Sequence, residues 1–320
     1  MMKRFLYYYL RSMRLYYCFV TGTTTLYGVS WWGFQKLSSS GTIRRSEWIS
    51  VALVLCIGFL SWGVNQIFSD YCDRREDAVN APHRPMVTGE LPARPAMMLS
   101  GVIMLAFGVV AYCLNPWCLA ILAVGGLLNI AYSICKKIPV LNCLIYACAI
   151  SCCALFGYSA LDGSMPAPDM LQRVAVYVLP AHFLMCHNSY YKDVEGDRLA
   201  GIRTLQVIFP KRLSVVVSLA GALVAYGYLF MFFSAGAARP LGNNLLLGTL
   251  QTALVTVLLI QLLRSIVRNT YHRTTCLNCQ FCVAMIFSSM MIFFPFGLYL
   301  EVMSLVEIGI LFQWYRDEKE

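Results

Sequence analysis

Two groups of aspartates are set at spacings that could hold a cation. Asp70, Asp73 and Asp77 fall in the run SDYCDRREDAVNAPHRP, and Asp193 and Asp197 in YYKDVEGDRLAGIRTL, each at the end of a long apolar segment. The chain has only 16 acidic residues among 320, so five of them in these two places demand a chemical reason. At 100° per residue, Asp70, Asp73 and Asp77 fit within an arc of about 60° on one helix face, bordered by Asn65 and Ser69. Asp193 and Asp197, at i and i+4, also share a face. Carboxylates stacked this way repel one another and raise one another's pKa unless a cation neutralises them. Magnesium suits them, because it takes hard oxygen ligands from one or two carboxylates together with water and substrate phosphates.

Basic residues accompany both groups: Arg84 within HRP, Lys192 just before Asp193, and Arg198 and Arg203 just after Asp197. They are the donors that an anionic, oxygen-rich group needs. His83 and Pro85 flank Arg84, and the proline restricts the backbone there. Acid for metal and base for phosphate, held at one membrane face, describe a diphosphate site.

The elements that carry these residues are apolar. Hydrophobic residues make up 59% of the chain and charged residues 13%, against roughly 45–50% and 25% in soluble domains. The sequence predicts an all-α, polytopic membrane protein. Runs near the length of a membrane crossing lie at 15–34, 48–68, 97–114, 117–135, 140–160, 171–191, 213–235, 244–267 and 279–302. That gives about nine transmembrane helices in one bundle, with a cytoplasmic-side cap carrying both aspartate motifs. With the N-terminus inside, 18 of the 25 lysines and arginines fall on the inner side, although Lys36, Arg44 and Arg45 run against the trend. The net charge of +9 therefore orients the protein in its membrane, and no nucleic-acid partner is expected. Arg11 and Arg14 interrupt the apolar start, so no removable signal peptide is expected.

No low-complexity linker divides the chain, and one domain over 1–320 is expected. A D-x-x-x-D after the second helix and another after the sixth suggest a pseudo-repeat of 15–135 and 140–267, which would bring the two acidic groups face to face.

Polar residues continue into the helices. Asn129, Tyr132, Ser133 and Lys136 follow i, i+3, i+4 and i+7, and His182, Cys186, Ser189 and Asp193 follow i, i+4, i+7 and i+11. Such stripes either line a cavity or hydrogen-bond helix to helix, and Lys136 at a helix end can also snorkel. Asn65, Ser69, Asn129, Tyr132 and Asn188 are the expected pocket residues. His272, Cys276, Cys279 and Cys282 have spacings that could ligate zinc or an iron–sulfur cluster. In a chain that carries most of its 14 cysteines inside apolar helices, thiols acting as small apolar side chains are the competing reading.

These residues resemble the UbiA superfamily of intramembrane prenyltransferases. The family's N-D-x-x-D-x-x-x-D and P-x-R-P are matched by Ser69-Asp70 through Asp77 and by Pro82-His83-Arg84-Pro85. Its K-D-x-x-G-D and G-x-x-T-L are matched by Lys192 through Asp197 and by Gly201-Ile202-Arg203-Thr204-Leu205. Tyr132-Ser133 leading to Lys136-Lys137-Ile138-Pro139 is a weaker third similarity. The leading asparagine is replaced by Ser69, with Asn65 one turn earlier. The resemblance implies Mg2+ ions held by Asp70, Asp73, Asp77, Asp193 and Asp197, bridging a prenyl diphosphate whose oxygens Arg84, Lys136, Lys192 and Arg203 grip. A lipophilic acceptor, an aromatic quinone or pigment precursor, would then attack the allylic carbon. Transfer to a glycerol phosphate ether-lipid precursor and isoprenoid cyclisation are the alternatives. An anionic lipid transporter fits less well, because the acids gather at one face and not at the midplane.

Overall fold

Inside a bilayer the backbone finds hydrogen-bond partners only within itself, so long apolar runs fold as helices. The structure is a computed structural model describing residues 2–135, 138–236, 245–294 and 309, and among these it contains helices and turns and no strand. The long helices are α2 (Cys18–Ser40), α3 (Arg45–Cys72), α5 (Ala93–Leu114), α6 (Pro116–Cys135), α7 (Leu141–Asp162), α12 (Lys211–Ser234), α13 (Leu245–Val267) and α14 (Tyr271–Met290). Five of them, α3, α5, α7, α12 and α13, are long and apolar enough by composition to cross a membrane.

Two of the other long helices, α2 and α14, are less apolar for a physical reason. In α2 and α14 many polar side chains are buried against neighbours: Thr24 Oγ1 lies 2.7 Å from His182 Nε2, and Asn278 donates to the Met185 carbonyl at 2.8 Å. The central helices can be polar because they meet protein, whereas α5, few of whose residues are buried, is apolar on its outward sides. This moves the last predicted span, 279–302. Its helix starts at Tyr271, because Thr274 reaches Ser265 at 2.8 Å and Asn278 reaches Met185, pairings that hydropathy cannot see. Residues 295–302 lie outside the described residues.

The predicted span 171–191 is a composite of α8 (Pro168–Arg173), a π-helical stretch Val174–Val178, and α9 (Leu179–Ser189). Pro180 lacks the N–H that an α-helix needs from that position, and a π stretch absorbs the mismatch. Tyr228 Oη donates to the Val176 carbonyl there at 2.7 Å.

Packing centres on α2, which lies against α3, α7 and α14, while α9 packs on α7, α12 and α14. The α2–α7 approach depends on small residues. A Cβ at Gly28 would sit 1.9 Å from the Ala154 carbonyl oxygen, and one at Gly157 2.3 Å from that of Thr25. Close backbone contact through glycine is how membrane helices gain dispersion energy without a hydrophobic driving force.

Short helices the hydropathy reading left out complete the fold: α1 (Met2–Ser12), α4 (Arg74–Asn80), α10 (Val194–Leu199) and α11 (Leu205–Ile208). Helices α4 and α10 touch each other, so the two aspartate motifs sit at the same end of the bundle.

Candidate active site

Both motifs are built on the same backbone device. Asp73 ends α3 and starts α4, while Asp193 ends a 3₁₀ turn (Tyr190–Lys192) and starts α10. In each, the second aspartate's amide donates to the first one's carbonyl at 2.8 Å, Asp77 to Asp73 and Asp197 to Asp193. The first carboxylate of each pair thus stands at a helix N-terminus, where backbone N–H groups favour negative charge. After Asp197 the chain turns back through Gly201, whose φ of +70° suits glycine, and the Ile202 amide bonds the Asp197 carbonyl at 2.8 Å. The P-H-R-P segment folds as tight turns, the amides of Val87 and Thr88 both donating to the Arg84 carbonyl at 2.9 Å.

A cavity of about 150 Å³ lies between the motifs. Asp73, Asp77, Asp193 and Asp197 line it, with Arg14, Arg84 and Lys192 as cations. Asn65, Gln66, Ser69, Asn129, Ser189, Tyr132 and Tyr190 add oxygen and amide groups. Asn129 Nδ2 donates to Asn65 Oδ1 at 3.3 Å, and the hydroxyls of Tyr132 and Tyr190 are 2.9 Å apart, so α6 is tied both to α3 and to the turn after α9. Tyr17, Trp62 and Tyr146 wall the inner side. Tyr17 stacks on Trp62 with ring centroids 4.9 Å apart, and Tyr146 lies edge-on to Trp62 at 6.4 Å.

Arg84 ion-pairs with Asp77, and its Nη1 lies 3.6 Å from Asp70 Oδ1. Arg14 ion-pairs with the same Asp70 oxygen, which also accepts from Gln66 Nε2 at 3.0 Å. Burial raises the Asp77 carboxyl to about 6, against the opposing pull of Arg84 and Arg14. Burial likewise lowers the Lys192 ammonium, with Asp193 opposing the shift.

A second cavity of about 280 Å³ adjoins the first, with Trp62, Asn65, Asn129 and Ile150 in both walls. Its lining is apolar, including Ile57, Met104, Phe107, Leu122, Gly125 and Gly126 from α3, α5 and α6. A polar chamber beside an apolar one suits a molecule with an anionic head and a hydrocarbon tail.

Not every expected residue faces this chamber. Asp70 is buried behind the wall; among the described residues its Oδ2 has no hydrogen-bond partner, while its Oδ1 is engaged by the arginines. Asn188 does not line the chamber: its Oδ1 accepts from Ser218 at 2.7 Å and its Nδ2 faces Asn278 at 3.3 Å, the helix-to-helix alternative. Arg203 is exposed and apart from the lining. Lys136 and the side chain of Ser133 lie outside the described residues. So does the side chain of His272, while Cys276, Cys279 and Cys282 are buried along α14. Sequence reading passed over Arg14, Tyr17, Trp62, Gln66 and Tyr146. The aromatic residues carry no signal beyond apolarity, and in the sequence Arg14 is only a break in the apolar start and one of the inner-side basic residues.

Among the described residues, no three His, Cys, Asp or Glu side chains converge closely enough to hold a metal by themselves. Magnesium does not need such a cage, since it binds through one or two carboxylates with water and phosphate oxygens completing its shell. The donors here fit that ion: four carboxylates divided between two walls, with no imidazole or thiolate among the described residues of the lining.

Fold and site together define an integral membrane protein with an acidic, oxygen-lined chamber at one end of a helical bundle. A profile of the UbiA prenyltransferase family matches residues 24–285, and the chain belongs to that family. It is 30% identical to the digeranylgeranylglyceryl phosphate synthase of Natronomonas pharaonis over 55% of this chain and 63% of that protein. It is 27% identical to the bacteriochlorophyll synthase 33 kDa chain of Rhodobacter capsulatus over 59% and 66%. The chain thus spans a little under two thirds of the length of these relatives. The fold resembles that of a UbiA homologue from Aeropyrum pernix K1, with a TM-score of 0.64 at 15% identity, covering 92% of this chain and 98% of that one. A UbiA homologue from Archaeoglobus fulgidus, bound to GPP and Mg2+, gives 0.59 at 14% identity over 87% and 99%.

Proposed function

We propose that the protein is a Mg2+-dependent prenyltransferase moving an isoprenoid chain from its diphosphate to a lipophilic acceptor. One observation carries the reading: aspartates from two separate corners line a single chamber that also holds cations and adjoins an apolar cavity. Asp73, Asp77, Asp193 and Asp197 are the metal-holding groups, with Asp70 supporting them from behind. When bound, Mg2+ supplies charge neutralisation for the departing diphosphate. Arg84 and Lys192 bind the diphosphate oxygens, with Lys136 assigned the same role by the family motif. Fixed cations in a site with little water stabilise charge as it develops on the leaving group. Tyr17, Trp62 and Tyr146 present ring faces and edges where the allylic carbon would lie, and aromatic faces favour positive charge. The apolar cavity takes the tail and keeps water from the reacting carbon.

The acceptor is an aromatic quinone or pigment precursor in the first reading, in line with the bacteriochlorophyll synthase among the relatives. A glycerol phosphate ether-lipid precursor is the second, in line with the digeranylgeranylglyceryl phosphate synthase. The chain acts as one domain crossing the membrane nine times, with the N-terminus and both aspartate motifs in the cytoplasm. The distribution of lysine and arginine supports that orientation. Purified protein incubated with labelled prenyl diphosphates and a membrane extract should yield a prenylated lipid, identified by mass spectrometry, together with inorganic pyrophosphate. Asp73→Ala should reduce this ~10²–10³-fold, the range seen on removing a charge-stabilising group. Full turnover in Asp73→Ala would refute the assignment.

A further inference from the structure

We propose that Arg14 is a further diphosphate-positioning residue, held in readiness by Asp70 at the junction between the first surface helix and the bundle. The inference rests on the prenyl-diphosphate reading and adds a residue from a part of the chain that the family profile, beginning at residue 24, does not reach. Arg14 lines the polar chamber together with Arg84 and Lys192, while its ion-pair partner Asp70 stands behind the wall. A guanidinium in front of a buried carboxylate is oriented by it, and its planar fork of donors matches the geometry of phosphate oxygens.

The backbone shows that the position is imposed. Arg14 has φ 46° and ψ 60°, a left-handed conformation that non-glycine residues seldom adopt. It is fixed from both sides. Before it, the Tyr9 hydroxyl lies 2.7 Å from Ser100 Oγ and the Tyr8 hydroxyl donates to Glu90 at 2.6 Å, so α1 is pinned to α5 and to the loop ahead of it. After it, Tyr17 stacks on Trp62. Beneath it, Gly63 lets the turn lie directly on α3, since a Cβ there would be 2.7 Å from Met13 Cε and 3.0 Å from Met13 Cβ. Gly63 is seven residues, two helical turns, before Asp70, so both are presented on one face of α3. A residue needed only to neutralise Asp70 would not have to face the chamber, where Arg84 already approaches the same oxygen.

The full chain in detergent or nanodiscs tests this with Arg14→Gln, Arg14→Lys and Gly63→Val. Two readouts are used: the KM and kcat for prenyl diphosphate with Mg2+, and the thermal shift given by inorganic pyrophosphate in EDTA. Arg14→Gln should raise KM about tenfold, the effect of losing one charge-assisted hydrogen bond, while kcat changes far less. It should also lose most of the metal-free pyrophosphate shift. Arg14→Lys should recover part of both. Gly63→Val, which alters no charge, should raise the same KM by displacing the turn, and it stands as the test if Arg14→Gln fails to fold. An unchanged KM and pyrophosphate shift in Arg14→Gln, with wild type active, would overturn this inference alone. Absence of both turnover and pyrophosphate protection in wild type would overturn it together with the reading beneath it.

Discussion

At Ser69 the chain departs from its family's asparagine, yet Ser69 and Asn65 both line the chamber, and Asn65 is engaged with Asn129. Ser69→Asn would add an amide beside the acids without displacing Asn65. Turnover should therefore be kept or raised, and a loss of more than tenfold in a steady-state assay would mean that the serine serves a differently shaped substrate head. Asp77 offers a test through pH. Its folded carboxyl titrates near 6 because it is buried, against about 3.9 in an unfolded chain. Between these values the folded protein holds a proton that the unfolded one lacks. Its stability contribution is thus fully present below about pH 4 and lost as pH rises through 6. At neutral pH the ionised, buried carboxylate is the group a bound cation relieves, so Mg2+ should raise Tm more at pH 7.5 than at pH 5. Equal shifts at both pH values would remove Asp77 from the cation site. The aspartates were legible in the sequence because charge is rare in an apolar chain. Which of them face the chamber was not, since helix periodicity places Asp70 on the same arc as Asp73 and Asp77, whereas α3 ends at Asp73 and Asp70 is buried outside the lining.

Among the elements, the bundle depends on α2, whose glycine-mediated contact with α7 brings two backbones together. Gly157→Val would drive a side chain into the Thr25 carbonyl and should destabilise the fold by about 1–3 kcal/mol, as overpacking does in tight cores. A lowered Tm in nanodiscs would show it, and an unchanged Tm would contradict the close approach. Hydropathy found most helices because lipid-facing sides must be apolar. It misplaced the start of α14 because Thr274 and Asn278 are satisfied by protein, and it missed the break at Val174–Val178, which depends on how Pro180 is accommodated. The short helices α4 and α10 were invisible to it, being polar, yet their contact joins the two motifs.

Across the whole molecule, the proposed chemistry requires that distant parts of the chain serve one ligand. The aspartates of α3–α4 and those of α10 are separated by about 120 residues in sequence and meet at one chamber. Groups that share a ligand lose their effects non-additively when removed together, whereas independent sites add. The most direct test is a double-mutant cycle on Mg2+-dependent binding of a non-hydrolysable prenyl diphosphate analogue, measured calorimetrically for wild type, Asp73→Asn, Asp197→Asn and the pair. Each single change should weaken binding at least ~10-fold, a loss of about 1.4 kcal/mol, and the double variant should lose clearly less than the sum. Strictly additive losses, or tight binding retained when either aspartate is removed, would contradict a diphosphate shared between the two corners.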